Sequence, residues 1–127
     1  MQNAVMNRTN DLLDRTKRFA LETIKFCEGV PKDETSRILA RQLLRSGTSV
    51  GANYRTVHRA KSKADFISKT GTVLEEADES AYWIELLCDS RKVPSTQSAP
   101  LHREANELVA IAVSSLNTAR RNSGPQR

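Results

Sequence analysis

Few of the residues that build non-helical folds occur in this 127-residue sequence. Aromatic residues make up 5%, and glycine and proline together number nine. That is too little turn chemistry for an all-β sandwich and excludes a collagen-like or proline-rich chain. Two cysteines, Cys27 and Cys88, cannot make a disulfide framework or a metal cage. No apolar run approaches the roughly 20 residues of a membrane span. Met1 to Asn10 has no continuous apolar stretch of the kind a secretory signal carries. A cytoplasmic protein is the expectation. What is present is an ordinary globular mixture, 38% hydrophobic and 28% charged, with 20 Lys and Arg against 15 Asp and Glu, or +5.

Four segments carry a helical period. Leu12, Thr16, Phe19, Thr23 and Phe26 lie 4, 3, 4 and 3 apart, one face of a helix over about 10–28. Gly29-Val30-Pro31 stops it. Leu39, Leu43, Ser46, Val50, Asn53 and Val57 keep the rhythm over about 33–60. The middle of this helix, Ser46 to Ala52, is unusually small. Two glycines cost roughly 1 kcal/mol each in a helix, and close approach of another helix would compensate. Ser62-Lys63-Ala64-Asp65 reads as a capping box opening a third helix to about Asp89. Arg91 and Lys92 then complement the negative end of that helix. Val93 to Pro100 reads as a polar linker. Leu101, Ala105, Leu108, Ala112, Ser115 and Ala119 mark the fourth helix.

The sequence therefore predicts an all-α fold, an antiparallel up-down-up-down four-helix bundle over 10–121, with flexible ends at 1–9 and 122–127. Its core, rich in Ala, Ser and Thr, is a weak source of stability at roughly 25 cal/mol per Å². Assembly would bury more, and Trp83, Leu86 and Leu87 are the candidate subunit interface.

No catalytic constellation emerges. Neither His58 nor His102 has a glutamate three residues before it, and the topology puts them at opposite ends. Gly47-Thr48-Ser49-Val50-Gly51 lacks the spacing, lysine and preceding strand of a phosphate loop. Cys27 and Cys88 share one end and are expected as reduced, partly buried thiols. The acids Glu75, Glu76, Asp78, Glu79 and Glu85 read as ion-pair partners for Arg37, Arg41 and Arg45, with Arg45 near Asp78, Arg41 near Ala81 and Arg37 near Glu85. The chain is expected to be no enzyme, with no metal, no cofactor and no small-molecule substrate.

The same topology sorts charge. One end collects Arg8, Arg15, Lys17, Arg18, Arg55, Arg59, Lys61, Lys63, Lys69, Arg120, Arg121 and Arg127 against Asp11, Asp14 and Asp65, twelve cations to three acids, or +9. The other end holds eight cations and twelve acids, or −4. Such a pole attracts phosphates in a salt-dependent way. With only Tyr54 and Phe66 near it, base stacking is poorly served.

Three blocks, Gln42-Leu43-Leu44-Arg45-Ser46, Ser49 to Arg55 and Arg59 to Lys69, resemble the bacterial four-helix bundle family, the 23S rRNA-intervening sequence proteins. Glu75 to Glu79 and Tyr82-Trp83-Ile84-Glu85-Leu86-Leu87 fit it too. The resemblance covers about Phe19 to Leu116. It implies a bundle that assembles as a homopentameric ring. Some members are encoded inside insertions in large ribosomal RNA genes. Related accessory proteins of diversity-generating retroelements contact nucleic acid and a reverse transcriptase through a basic ring. The family pattern has Glu-Ala after Asn53-Tyr54-Arg55, where this chain has Thr56-Val57. No acidic role is carried to Thr56. Five such ends on one face would gather about +45. Expected partners are thus further copies of the chain and RNA or a reverse transcriptase complex, held through Arg55, Arg59, Lys61 and Lys63, with no membrane. The alternative expectation is a structural assembly or protein-interaction module without nucleic-acid binding.

Overall fold

The computed structural model describes the backbone of residues 2–122 and the side chains of residues 11–122. It is built of α1 (Gln2–Glu28), α2 (Glu34–His58), α3 (Lys63–Asp89) and α4 (Ser95–Asn122), with no strand among the described residues. No described helix is long and apolar enough to cross a membrane. The side chain of Arg8, the residue Arg127 and the expected tail from 123 onward lie outside the described residues.

Each helix packs on the next in the chain, while α1 and α4 touch more sparsely. The periodic positions named from sequence form the core. Phe19, Leu43, Val50, Ala77, Leu87 and Ala105 are fully buried. Burying a large apolar side chain is worth about 1.5–3 kcal/mol, and few large ones are present. Much of the interior is instead Ala40, Ala81, Ala112, Thr16, Thr23, Ser46 and Ser80. These small polar groups are satisfied locally. Thr16 and Thr23 donate to Leu12 O and Phe19 O at 2.7 and 2.8 Å. Ser80 donates to Ser46 at 2.9 Å across the α2–α3 seam.

The glycines of α2 are where the close approach occurs. A Cβ at Gly47 would lie 2.7 Å from Thr23 Cγ2, and one at Gly51 would lie 3.2 Å from Thr16 O. The α1 backbone thus runs directly against α2, and a side chain at either position would hold it off.

Helix ends differ from expectation at two places. The helical backbone of α1 reaches back to Gln2, eight residues before the start near Asn10 that the apolar period suggests. Extending a formed helix costs little compared with starting one, so the helical backbone can run on past the end of the apolar period. The second difference is α4, which begins at Ser95 and contains Pro100. Pro100 is exposed and near the helix start, so only one backbone bond is forfeited there. The expected 93–100 linker shrinks to the residues before Ser95. Ser98, 3% exposed, was the overlooked signal: with Leu101 and Ala105 it extends the core spacing backward by one turn.

The other caps follow the sequence. Ser62 accepts from Asp65 N at 3.0 Å, while Asp65 Oδ2 accepts from Lys61 N at 3.1 Å. The shorter Asp side chain closes the box on the residue before the cap. At the end of α3, Arg91 adopts φ 65°, the left-handed position that usually falls to glycine, and Lys92 N returns to Leu87 O at 3.0 Å. Lys92 Nζ also meets Asp33 Oδ1 at 3.3 Å, which places the α3–α4 and α1–α2 connections side by side.

Asp33 caps α2 by accepting from Ser36 N at 3.0 Å. That bond, then the Ser36 hydroxyl and Lys92, hold its carboxyl down at about 2. The folded value lies below the unfolded one. Its contribution is therefore complete above the ordinary carboxylate range and is lost as pH falls from about 4 toward 2. Asp33→Ala should melt a few degrees below the parent at pH 7. The two should converge near pH 2, as followed by circular dichroism; a gap that stays constant with pH would exclude this role.

Candidate functional site

The α2–α3 turn brings four predicted cations together. Arg55 lies in the last turn of α2, Arg59 is its C-cap, and Lys61 and Lys63 flank the Ser62 cap of α3. All four are exposed, and none takes part in an ion pair among the described residues. Asp65, the nearby acid, is engaged instead by Lys61 N and by Lys69 Nζ at 3.1 Å. These bonds, the backbone one first, hold its carboxyl below the usual range.

The end of α4 joins this turn. Lys63 and Phe66 line one surface groove with Ser114, Thr118 and Asn122, so Arg120 and Arg121 belong to the same end of the molecule. At the start of the bundle, Leu12 and Thr16 share a cavity wall with Tyr54 and Val57, which brings the first half of α1 alongside the last half of α2.

Arg15 does not join this group. Its guanidinium forks onto Glu104 at 2.6 and 2.9 Å and reaches Glu107 at 2.6 Å, clamping α1 to α4. The Glu104 hydrogen bond, the largest influence, raises its pKa further. Glu104 and Glu107 are one helical turn apart on α4, a pairing that no local spacing in α1 announces. Counting Arg15 together with its two glutamates, and with Arg8 and Arg127 outside the described side chains, ten cations face five acids, a net +5.

The acidic cluster is structural but in a different register from that expected. Arg45 pairs with Glu79, and with Glu76 at 3.5 Å, not with Asp78. Arg37 and Arg41 are exposed and make no ion pair among the described residues. Glu85, expected beside them, pairs with His102 Nε2 of α4 at 2.8 Å. Helix rotation decides this: Glu76 and Glu79 fall on the α2 side of α3, while Asp78 and Glu85 fall toward α4.

Of the three expected interface residues, Leu87 is fully buried inside the chain and has no surface to offer. Trp83 is half-buried, its indole donating to Glu79 Oε2 at 3.0 Å, and Leu86 is half-buried. Tyr82, missed by the sequence reading, is 53% exposed and meets Trp83 edge-on with ring centroids 5.2 Å apart.

Cys27 and Cys88 are free and half-buried. The Cys27 thiol donates to Ala40 O at 3.4 Å, and burial pushes it up to about 11, which makes it a poor nucleophile at neutral pH. Among the described residues, no group of three His, Cys, Asp or Glu could hold a metal ion.

The comparisons with known proteins agree with this architecture. The family model for the 23S rRNA-intervening sequence protein matches residues 8–114. A crystal structure from Bacteroides thetaiotaomicron, of a protein with unknown function from the S23 ribosomal protein family, superposes with a TM-score of 0.79 at 31% identity. The match covers 86% of this chain and 97% of that one. No curated protein matches. With most of its length matched by the family model, and a solved structure of similar sequence and fold over nearly the same span, this chain belongs to the 23S rRNA-intervening sequence protein family.

Proposed function

We propose that the chain is a non-enzymatic, cytoplasmic bundle subunit that assembles as a homopentameric ring and holds RNA, or an RNA–protein complex, through its basic end. One observation carries the reading: Arg55, Arg59, Lys61 and Lys63 are exposed and unpaired, whereas Arg15, Arg45, Lys69 and Lys92 are each engaged by a carboxylate. Cations left free at one turn are suited to phosphates, which need charge and no base-reading geometry. An up-down-up-down course supports the gathering of charge. Thr23 lies beside Gly47 and Thr16 beside Gly51, so residue numbers rise along α1 as they fall along α2.

Filter binding of a labelled RNA hairpin over a salt series tests it. Measurable affinity at low salt that falls with added salt, and that is lost on replacing the four cations by Ala, is expected. No affinity at low salt, or an unchanged titration in the variant, would sink the reading.

A second reading, an assembly module without nucleic acid, draws on the α2–α3 outer face. Ile38, seven residues before Arg45 and on the same stripe of α2, is 48% exposed, and on α3 Tyr82 is 53% exposed beside the half-buried Trp83. Exposed apolar side chains of this kind are suited to subunit contact. In sedimentation, Ile38→Glu and Trp83→Ala should each shift the protein to smaller species. An intact oligomer in both variants would remove this face from the interface.

A further inference from the structure

The ion pairs within the chain leave two stripes of opposite charge unused. On α2, Arg37, Arg41, Leu44 and Thr48 follow at spacings of 4, 3 and 4 and share one face. Arg37, Arg41 and Leu44 are exposed, and neither arginine side chain has a partner among the described residues. On α3, Asp78, Tyr82, Glu85 and Asp89 repeat the spacings 4, 3 and 4. All four are exposed. Asp78 and Asp89 have no side-chain partner among the described residues, and Glu85 meets His102.

The two stripes lie on opposite flanks of the α2–α3 face. Gly47, next to Thr48, touches Thr23 of α1, whereas Glu85 pairs with His102 of α4. Between the flanks, Arg45 with Glu76 and Glu79, and Ser46 with Ser80, hold the seam. One chain therefore does not satisfy its own stripes.

The stripes nevertheless share a register. Ser46 meets Ser80, and farther along Tyr54 and Val57 share a wall with Phe66 and Thr70, so numbers on α3 fall as those on α2 rise. Both helices rise by about 1.5 Å per residue. Level residues thus have numbers that add to 126, as Ser46 and Ser80 do. Arg37 and Asp89, Arg41 and Glu85, Leu44 and Tyr82, and Thr48 and Asp78 all meet that condition.

We propose that the α2 stripe of one copy docks on the α3 stripe of the next, with the copies level and related by rotation about an axis along the helices. This rests on the ring assembly proposed as part of the function and names its contact surfaces. Cation then faces carboxylate at two levels, leucine faces tyrosine at a third, and a hydroxyl faces a carboxylate at the fourth. The apolar pair supplies burial, while the charges fix register and partner. A contact that set like stripes together would oppose arginine to arginine. Because the stripes occupy opposite flanks, two copies leave one stripe of each kind open, and the contact continues head to tail until a ring closes. Level copies also carry the α2–α3 turns, with Arg55, Arg59, Lys61 and Lys63, onto one face.

Sedimentation velocity of the full chain and its variants tests the interface. The parent should sediment as an oligomer. Arg37→Glu with Arg41→Glu sets acid against acid, and Glu85→Lys with Asp89→Lys sets cation against cation. Each double variant should need about 100-fold more protein to assemble. All four substitutions together exchange the two stripes and should restore the parent's oligomer. The helical circular dichroism signal should be retained throughout, since every substituted side chain is exposed. A parent that sediments as a single chain would overturn the ring reading and this interface with it. An oligomeric parent whose size is unmoved in either double variant, or is not restored by the fourfold one, overturns the interface alone and leaves the stripes to a partner other than a second copy.

Discussion

Gly47→Ala should destabilise the protein by about 2 kcal/mol, although alanine is the better helix former by about 1 kcal/mol. The added Cβ would sit 2.7 and 2.8 Å from Thr23 Cγ2 and Oγ1 and 3.1 Å from Thr23 Cβ. Rotating Thr23 does not clear the way, because its Cβ is itself too near and its hydroxyl donates to Phe19 O. Either α1 moves away from α2 or the methyl group is strained. Against a total stability of roughly 5–15 kcal/mol, such a loss is large. The cause can be isolated by a double-mutant cycle. Thr23→Ala removes the two colliding atoms, so Gly47→Ala combined with Thr23→Ala should be more stable than Gly47→Ala alone, with a coupling of about 1–2 kcal/mol in urea denaturation. Additive effects would show that the approach of α1 to α2 is not what requires the glycine. Gly51 offers a graded comparison. Its clash is with the Thr16 carbonyl at 3.2 Å, a milder contact but with backbone that has no rotamer to change.

The second large effect concerns salt. Each phosphate neutralised by Lys or Arg contributes about 0.9 to the slope of log affinity against log salt on a duplex, and about 0.7 on a single strand. If Arg55, Arg59, Lys61 and Lys63 each meet one phosphate, replacing all four by Ala should lower the slope by about 3–4. Between 50 and 200 mM salt, the parent should then lose about 100-fold more affinity than the variant does. All four residues are exposed and without ion pairs, so the melting temperature should hardly change. That separates lost contact from lost fold. Arg15→Ala is the informative contrast. Its charge is taken up by Glu104 and Glu107, so it should reduce stability while leaving the salt slope nearly unaltered. Equal slopes for parent and quadruple variant would mean that these cations do not touch phosphate.

The places where sequence reading succeeded share a property. The spacings of Leu12 to Phe26 and Leu39 to Val57, the Ser62–Asp65 cap and the Gly47–Gly51 approach each depend on residues a few positions apart. Helical geometry turns such spacing directly into a face, a cap or a gap. The start of α4 was misplaced because proline outweighed the one-turn-earlier signal of Ser98. Arg15, Glu85 and Leu87 were misassigned for a different reason. Each choice of partner or burial depends on helix rotation, and about 100° per residue separates Asp78 from Glu79.

From sequence alone came the four helices, the small-residue seam in α2, the family, and the cationic turn between α2 and α3. These follow from covalent order, because neighbours in the chain remain neighbours in the fold. The tertiary structure decided which cations stay free, which acids are consumed, and that Leu87 belongs to the core. All of these depend on atoms brought together from different helices. Rotations and offsets of a few ångströms, invisible in the order of residues, determine whether a charge finds its partner.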